Sequence, residues 1–491
     1  MRVILFDLDC CRPDHLSAYG YRRETSPTLA RLGSEGVRFT ECFASNTPCL
    51  PSRAALFSGR FGVGNGIETH CGAGRVFRYP GGDSHGHRAD MPMLARHLRV
   101  HGYRTVSFSS FADRHNAWWF TAGWSELHTF TNKCGQETAD EVNAAVLPWL
   151  AEHGAEDDYF VHIHYWDIHS HYRISERWAR LFEGEPAPDW PDEAAIAAHQ
   201  AVYGPRTARD LYTGYADEDR APVPTMPGQV GSRADFVRLI DCYDAAIAYV
   251  DKHIGDVLDV LAELGVLEDT AFVVSGDHGD SFGECGQYMD HGLANDQVQR
   301  VPMMVRWPGL EGRGERSGLL YSLDLAPTLC ELLGLPIPER WDGESFASAL
   351  RGDGMWKGRD YLCCSHGIYT FQRALRRDRW LYVRNLHPGL YPYDQDEYLY
   401  DRPADPHQTK DLSSERAEVV GELSGLMDAW LVERCARAGV ERAPLESMVG
   451  TGPFVYYTPE RMVERLRRTG RVAEADGLIA RLRRFHPGLP L

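Results

Sequence analysis

Through the first two thirds of this chain, apolar runs of strand length alternate with segments of helical period, and that alternation points to helices layered around a sheet. Val3 to Leu8 is the first run, Thr105 to Phe108 follows the turn at His101-Gly102-Tyr103, and Tyr159 to Ile163 and Ala271 to Ser275 add two more. The clearest helix runs from Ser232 to about Leu264. Its Ile240, Tyr243, Ile247, Val250, Ile254, Val257, Leu258 and Leu261 keep to intervals of three and four, so they line one face. A chain of 491 residues with 43% apolar content can bury the core such layers need.

Between His171 and Ser232 the sequence is Pro-rich, Ala-rich and acidic without a sustained period, which predicts a long excursion rather than another sheet layer. After Ser322-Leu323-Asp324-Leu325-Ala326-Pro327-Thr328-Leu329 comes a helix that ends at Gly334. The Gly-rich break Arg351-Gly352-Asp353-Gly354 then marks a domain boundary. Beyond it, Tyr361 to Cys364, Phe371 to Leu375 and Arg379 to Val383 have hairpin-like spacing, and Pro459 to Phe485 reads as two short amphipathic helices joined at Gly470. The expected organisation is an α/β/α sandwich over 1–352, with the excursion at about 171–232, and a smaller α+β domain over 353–491 with a short antiparallel sheet and a helical tail.

A net charge of −18 disfavours nucleic acid or an anionic membrane as partner. An anionic substrate must then meet local cations, nearly all of them arginine. The first residues, Met1 to Asp9, read as a strand with no basic or apolar leader pattern, and no apolar run approaches bilayer length. The twelve cysteines show no zinc-ribbon spacing. A cytoplasmic protein with free thiols is expected.

The chemistry-bearing residues fall where strands end. Asp9 follows the first strand in Asp9-Cys10-Cys11-Arg12-Pro13-Asp14-His15-Leu16, and Ser275-Gly276-Asp277-His278-Gly279 follows the fourth. Asp9 and Asp277 offer hard oxygens at the carboxyl ends of strands, where open α/β sheets bind ligands, and His278 adds a nitrogen. Asp7 lies on the same side of its strand as Asp9 and suits a supporting role. Trp166-Asp167-Ile168-His169 places a histidine that titrates near neutrality at another strand end. His162 and His164, two apart, read as scaffold.

Near the amino terminus stands Cys49-Leu50-Pro51-Ser52-Arg53, followed by Ala54-Ala55-Leu56-Phe57-Ser58-Gly59-Arg60. With the segments above, and with Leu399-Tyr400-Asp401, Asp405-Pro406 and Asp411-Leu412, it resembles the sulfatase family within the alkaline phosphatase superfamily. The resemblance spans residues 3 to 412. It implies an alkaline-phosphatase-like α/β/α sandwich and hydrolysis of sulfate esters. Cys49, at the start of a helix, would be oxidised by a formylglycine-generating maturation enzyme to an aldehyde whose hydrate is the nucleophile. One hydroxyl attacks sulfur and displaces the alcohol; deprotonation of the other expels sulfate.

The resemblance further implies one divalent metal on Asp9, Asp277, His278 and the Cys49-derived hydroxyl. The family points to Ca2+, while the nitrogen of His278 favours Mn2+. It also implies Arg53 holding the nucleophile, His169 moving a proton, and His291 near the sulfate.

Three positions depart from the family pattern. Cys10 replaces an acidic residue of the first metal loop, Asp290 stands where a lysine usually precedes His291, and no lysine follows Gly102-Tyr103-Arg104-Thr105. Arg114 or His115 could replace that second cation; nothing evident offsets Asp290. Since Asp290 repels a dianion more than a monoanion, sulfate monoesters are expected to be best, phosphonate and phosphate diesters secondary, and phosphate monoesters poor. Asn116-Ala117-Trp118-Trp119-Phe120 suggests aromatics at the cleft that could stack on a sulfated sugar, although tryptophan more often packs in a core. The alternatives are a phosphonate monoester or phosphodiester hydrolase of the same superfamily, or a silent binder if Cys49 is not converted.

Overall fold

Alternate residues of the first strand face opposite sides, and this sets the layering. In the computed structural model, which describes residues 1–78, 92–352, 356–393 and 395–487, β1 (Arg2–Leu8) lies inside an eight-stranded sheet. The other strands are β2 (Val37–Phe39), β3 (Arg104–Phe108), β4 (Glu126–His128), β5 (Tyr159–Tyr165), β6 (Thr270–Gly276), β7 (Met303–Arg306) and β8 (Gly314–Arg316). Their order is β8-β2-β7-β6-β1-β5-β3-β4, and only β7 opposes its neighbours. Leu8 pairs with Gly276 on one side and Tyr165 on the other, so Asp9 and Asp277 leave adjacent strands together.

On one face, Val3 and Leu5 pack with Leu50, Ala54 and Phe57 of α1 (Cys49–Ser58). On the other, Ile4, Phe6 and Leu8 pack with Val142 and Val146 of α2 (Ala139–His153) and with Leu239, Tyr243 and Ile247 of α3 (Arg233–Glu263). Each fully buried side chain of this size contributes about 1.5–3 kcal/mol. The sandwich expected from the sequence is present. The α3 helix begins where its capping serine stands: Ser232 accepts a hydrogen bond from the Asp235 N–H. Period two also puts Asp7 and Asp9 on the α1 side, within reach of Arg53.

The 171–232 excursion adds no strand to the main sheet. It carries short helices Glu176–Ala179 and Glu193–His199 and buries Ile174, Phe182, Ile196, Leu211 and Tyr212 in the core shared with α3. It is a packed cover.

After α4 (Leu325–Leu332), Gly334 adopts a φ of 69°, which glycine accepts without strain. Asp353 and Gly354 of the predicted break lie outside the described residues. The second sheet follows, with β9 (Tyr361–Gly367), β10 (Phe371–Arg377), β11 (Trp380–His387) and β12 (Glu397–Asp401) antiparallel in sequence order. Its fifth strand is Asn46–Thr47, parallel to β9 and immediately before Pro48 and Cys49. Thus the second sheet holds the lead-in to α1. It is backed by α5 (Ala417–Ala438), whose Val420, Leu423, Met427 and Trp430 are buried. The chain ends in α6 (Pro459–Arg468) and α7 (Val472–Phe485) around Gly470, as the pattern predicts. Among the described residues no helix is long and apolar enough to cross a membrane.

Candidate active site

Cys49 is the first residue of α1 and is 2% exposed. Its Sγ lies 3.0 Å from His278 Nε2. Burial, with Asp9 and Asp277 adding to it, pushes the thiol well above its ordinary pKa, so as a cysteine this side chain stays protonated. His278 Nδ1 donates to the Gly279 carbonyl at 3.0 Å, leaving Nε2 bare toward Cys49. Burial and the neighbouring His291 hold His278 down to about 4, so it is neutral and able to bind a metal.

Arg53, one turn along α1, is fully buried. Its charge acts on Cys49, while its Nε and Nη2 bond both oxygens of Asp7 at 2.7 and 2.9 Å, and Nη1 bonds Asp9 at 3.0 Å and Asp277 at 2.6 Å. No hydrogen bond joins it to Cys49 among the described residues. Three carboxylates thus share one guanidinium. Burial opposes ionisation of all three; Arg53 holds Asp7 and Asp9 low, but Asp277, facing Asp9 and Asp7 as well, is pushed up to about 7.

The negative charge left over is what a divalent cation would balance. Asp9, Cys49, Asp277 and His278 each place a donor atom within 4.8 Å of the others. The four sequence-predicted ligands therefore fit a metal.

His162 and His164 are scaffold, as expected. His162 bridges Ser107 and Asp7 at 2.9 and 3.1 Å, and His164 bridges Ser109 and Asp9 at 2.9 and 3.2 Å. His169 Nδ1 donates to the Ser170 carbonyl at 2.8 Å, so Nε2 is an acceptor, 3.4 Å from Arg114 Nη2. His291 Nδ1 donates to Asp280 at 2.9 Å, and its ring lies 4.1 Å from that of His278 and 6.0 Å from that of His169. Burial works against a charged His291, yet Asp290 and then Asp280 raise it to about 9. Burial and Arg114 instead hold His169 well below its usual value.

Of the two replacements for the missing lysine, Arg114 is the cation. It bonds the Cys134 carbonyl at 3.1 Å, lies over the Trp166 ring at 5.3 Å, and pairs with no carboxylate among the described residues. His115 is buried, and burial followed by His70 holds it uncharged. The repulsion expected from Asp290 needs correcting. Arg206, from the excursion, bonds Asp290 through Nε at 2.8 Å and caps the Tyr215 ring at 4.4 Å. Asp290 is paired with a cation, which weakens the case against phosphate monoesters. Trp119 is 2% exposed and stacks on Phe77, which rules it out as a sugar platform, whereas Trp118 is 59% exposed.

Besides Cys10, already singled out, the site holds residues that sequence reasoning missed: Tyr172, Asp280, His70, Tyr456 and Arg206. Cys10 Sγ donates to Asp9 at 3.3 Å and Tyr172 donates to Asp280 at 2.9 Å. His70 accepts from the Leu50 N–H at 3.3 Å and donates to Tyr456 at 3.0 Å, which brings the C-terminal segment beside Cys49. Asp280, two residues after His278, could have been found from its spacing; Arg206 and Tyr456 carry no local signal.

A sulfatase family model matches residues 3–335, and a model described as N-sulphoglucosamine sulphohydrolase, C-terminal, matches residues 283–430. An N-acetylglucosamine-6-O-sulfatase of Bacteroides thetaiotaomicron is 21% identical over 478 residues, covering 84% of this chain and 83% of that protein. A structure solved with its substrate D-glucosamine-2-N,6-O-disulfate superposes with a TM-score of 0.72 at 18% identity, covering 90% of this chain and 99% of that one. The phosphonate monoester hydrolase of Agrobacterium radiobacter gives 0.67 at 21% identity, covering 89% and 96%. At these identities the solved structures speak for the fold alone.

Proposed function

The chain belongs to the sulfatase family, and on that premise we propose that it hydrolyses sulfate esters at the centre around Cys49. The observation that supports this most is the position of Cys49 Sγ, 3.0 Å from His278 and in one donor group with Asp9 and Asp277. A thiol held protonated there is a poor nucleophile. Conversion to formylglycine by a maturation enzyme that reads the Cys49 to Arg53 motif would replace it with a hydrated aldehyde. A divalent cation on Asp9, Asp277, His278 and that hydroxyl would supply Lewis acidity toward the sulfate oxygens. The family suggests calcium; the His278 nitrogen favours manganese or another transition metal.

The remaining residues have separable tasks. Arg53 locks Asp7, Asp9 and Asp277 in place. His169, with a bare Nε2, accepts a proton, while His291, oriented by Asp280, donates one to the leaving alcohol. Arg114, free of carboxylates, draws in the anionic group.

A sulfated carbohydrate is the substrate class we favour, because relatives of this chain are named for sulfated sugars. A second reading, phosphonate monoester hydrolysis, is favoured by the Asp277-His278 pair and by the shared fold. Parallel kinetics on one aryl leaving group carrying sulfate, phosphonate or phosphate decides: the sulfate ester should lead, and a phosphonate that outruns it by a wide margin would establish the second reading.

A further inference from the structure

The segment joining α5 to α6 reaches the centre beside Cys49 through one side chain, Tyr456. It lies beyond both regions that match family models, the later of which ends at residue 430. Its neighbours are anchored: Tyr457 is buried and donates to Glu218 of the excursion at 2.9 Å, and the Phe454 ring packs 5.4 Å from that of His387. Tyr456 stands between these anchors, yet it is 47% exposed.

The exposure belongs to the ring, because the hydroxyl turns inward to the buried His70. His70 Nε2 accepts the Leu50 N–H at 3.3 Å, so the imidazole proton sits on Nδ1 and is donated to the Tyr456 oxygen at 3.0 Å. The O–H proton of Tyr456 is left over, and no acceptor takes it among the described residues. Burial raises this phenol above its ordinary value and Cys49 adds to that, whereas Arg114 and Arg75 pull it down, so the hydroxyl keeps its proton and lies in the field of all three. Arg75 gives one N–H to the His115 carbonyl at 2.8 Å and, like Arg114, meets no carboxylate among the described residues. Two such cations draw an anionic group toward an uncommitted donor.

We propose that Tyr456 binds the substrate twice: its O–H donates to a sulfate oxygen, and its exposed ring face lies against a sugar ring in the alcohol portion of the ester. A hydrogen bond to a charged acceptor is the stronger kind. An aromatic face suits the apolar face of a sugar. The C-terminal segment thereby helps choose the ester. The inference rests on the sulfatase reading above for the identity of its ligand but is tested apart from turnover.

The test measures equilibrium binding of two probes, methyl sulfate and glucose 6-sulfate, to full-length Cys49→Ala protein. Adding Tyr456→Phe should raise both Kd values by about ten- to a hundredfold, the loss of one hydrogen bond to a charged group. Adding Tyr456→Ala instead should weaken glucose 6-sulfate by about two- to tenfold more, and leave methyl sulfate where the phenylalanine variant has it. Tyr456→Leu stands in should the alanine variant fail to fold. A disturbance of the fold alone would weaken both probes by the same factor in every variant.

The proposal is overturned if neither probe binds, if Tyr456→Phe leaves either Kd unchanged, or if Tyr456→Ala costs the two probes the same. An enzyme that turns over sulfate esters while Tyr456→Phe binds them as tightly refutes this inference and leaves the sulfatase reading standing. The expected binding pattern in a protein whose converted form hydrolyses no sulfate ester does the reverse.

Discussion

Arg206 reaches Asp290 from a segment without any motif, and the pair sets the charge an ester meets beside His291. Both partners are buried, so removing one leaves an uncompensated charge. Arg206→Ala should lose about 3–5 kcal/mol of stability, and the KM for a sulfate ester should rise as the exposed negative charge repels it. Arg206→Ala/Asp290→Ala should recover much of both. Urea unfolding and kinetics on the two variants check this; equal losses in single and double variants would show that the pair carries no coupling. Cys49, Asp9, Asp277 and His278 were legible because each sits in a short contiguous motif at a strand end or helix start. Arg206 and Tyr456 were not, because only tertiary packing of the excursion and of the C-terminal segment brings them in. Asp290 was read as a bare charge for the same reason.

At the level of elements, α1 carries both Cys49 and Arg53, so its start and stop matter. Gly59 ends it with a φ of 62°, and a Cβ there would come within 2.6 Å of the Trp341 ring. Gly59→Ala should therefore cost about 1–3 kcal/mol and lower turnover by displacing Arg53 from its carboxylates. A thermal melt with a parallel activity assay checks it, and an unchanged melting temperature would mean that α1 tolerates another ending. The α3 helix could be read from its period and its Ser232 cap because one face is buried along its whole length. The α5 helix could not: of its 22 residues only Val420, Leu423, Met427 and Trp430 are buried, so its apolar stripe is thin. Asn46–Thr47 is too short for any periodicity, and only the register with β9 makes it a strand.

Across the whole molecule, the C-terminal helices lock onto the excursion through Asp210, Glu218 and Asp219, and Asp210 is the most buried of the three. Asp210, fully buried, takes Arg465 at 2.6 Å and Arg471 at 2.7 and 2.8 Å. Asp210→Ala leaves two buried guanidinium groups short of their partner, so stability should fall by about 3–5 kcal/mol and amide exchange should quicken in α6 and α7. Unchanged exchange there would mean that the apolar contacts of the tail suffice. The second sheet, through Asn46–Thr47, and Tyr456, through His70, both reach the short stretch where Cys49 stands. The mass of the peptide containing Cys49 therefore tests the account most directly, in protein made with the maturation enzyme and assayed beside Cys49→Ala. The account predicts a mass lowered by exchange of sulfur for oxygen with loss of two hydrogens, together with turnover of a sulfate ester that Cys49→Ala abolishes while its fold persists. Unmodified Cys49 in protein that turns the ester over, or substantial activity in Cys49→Ala, would contradict it.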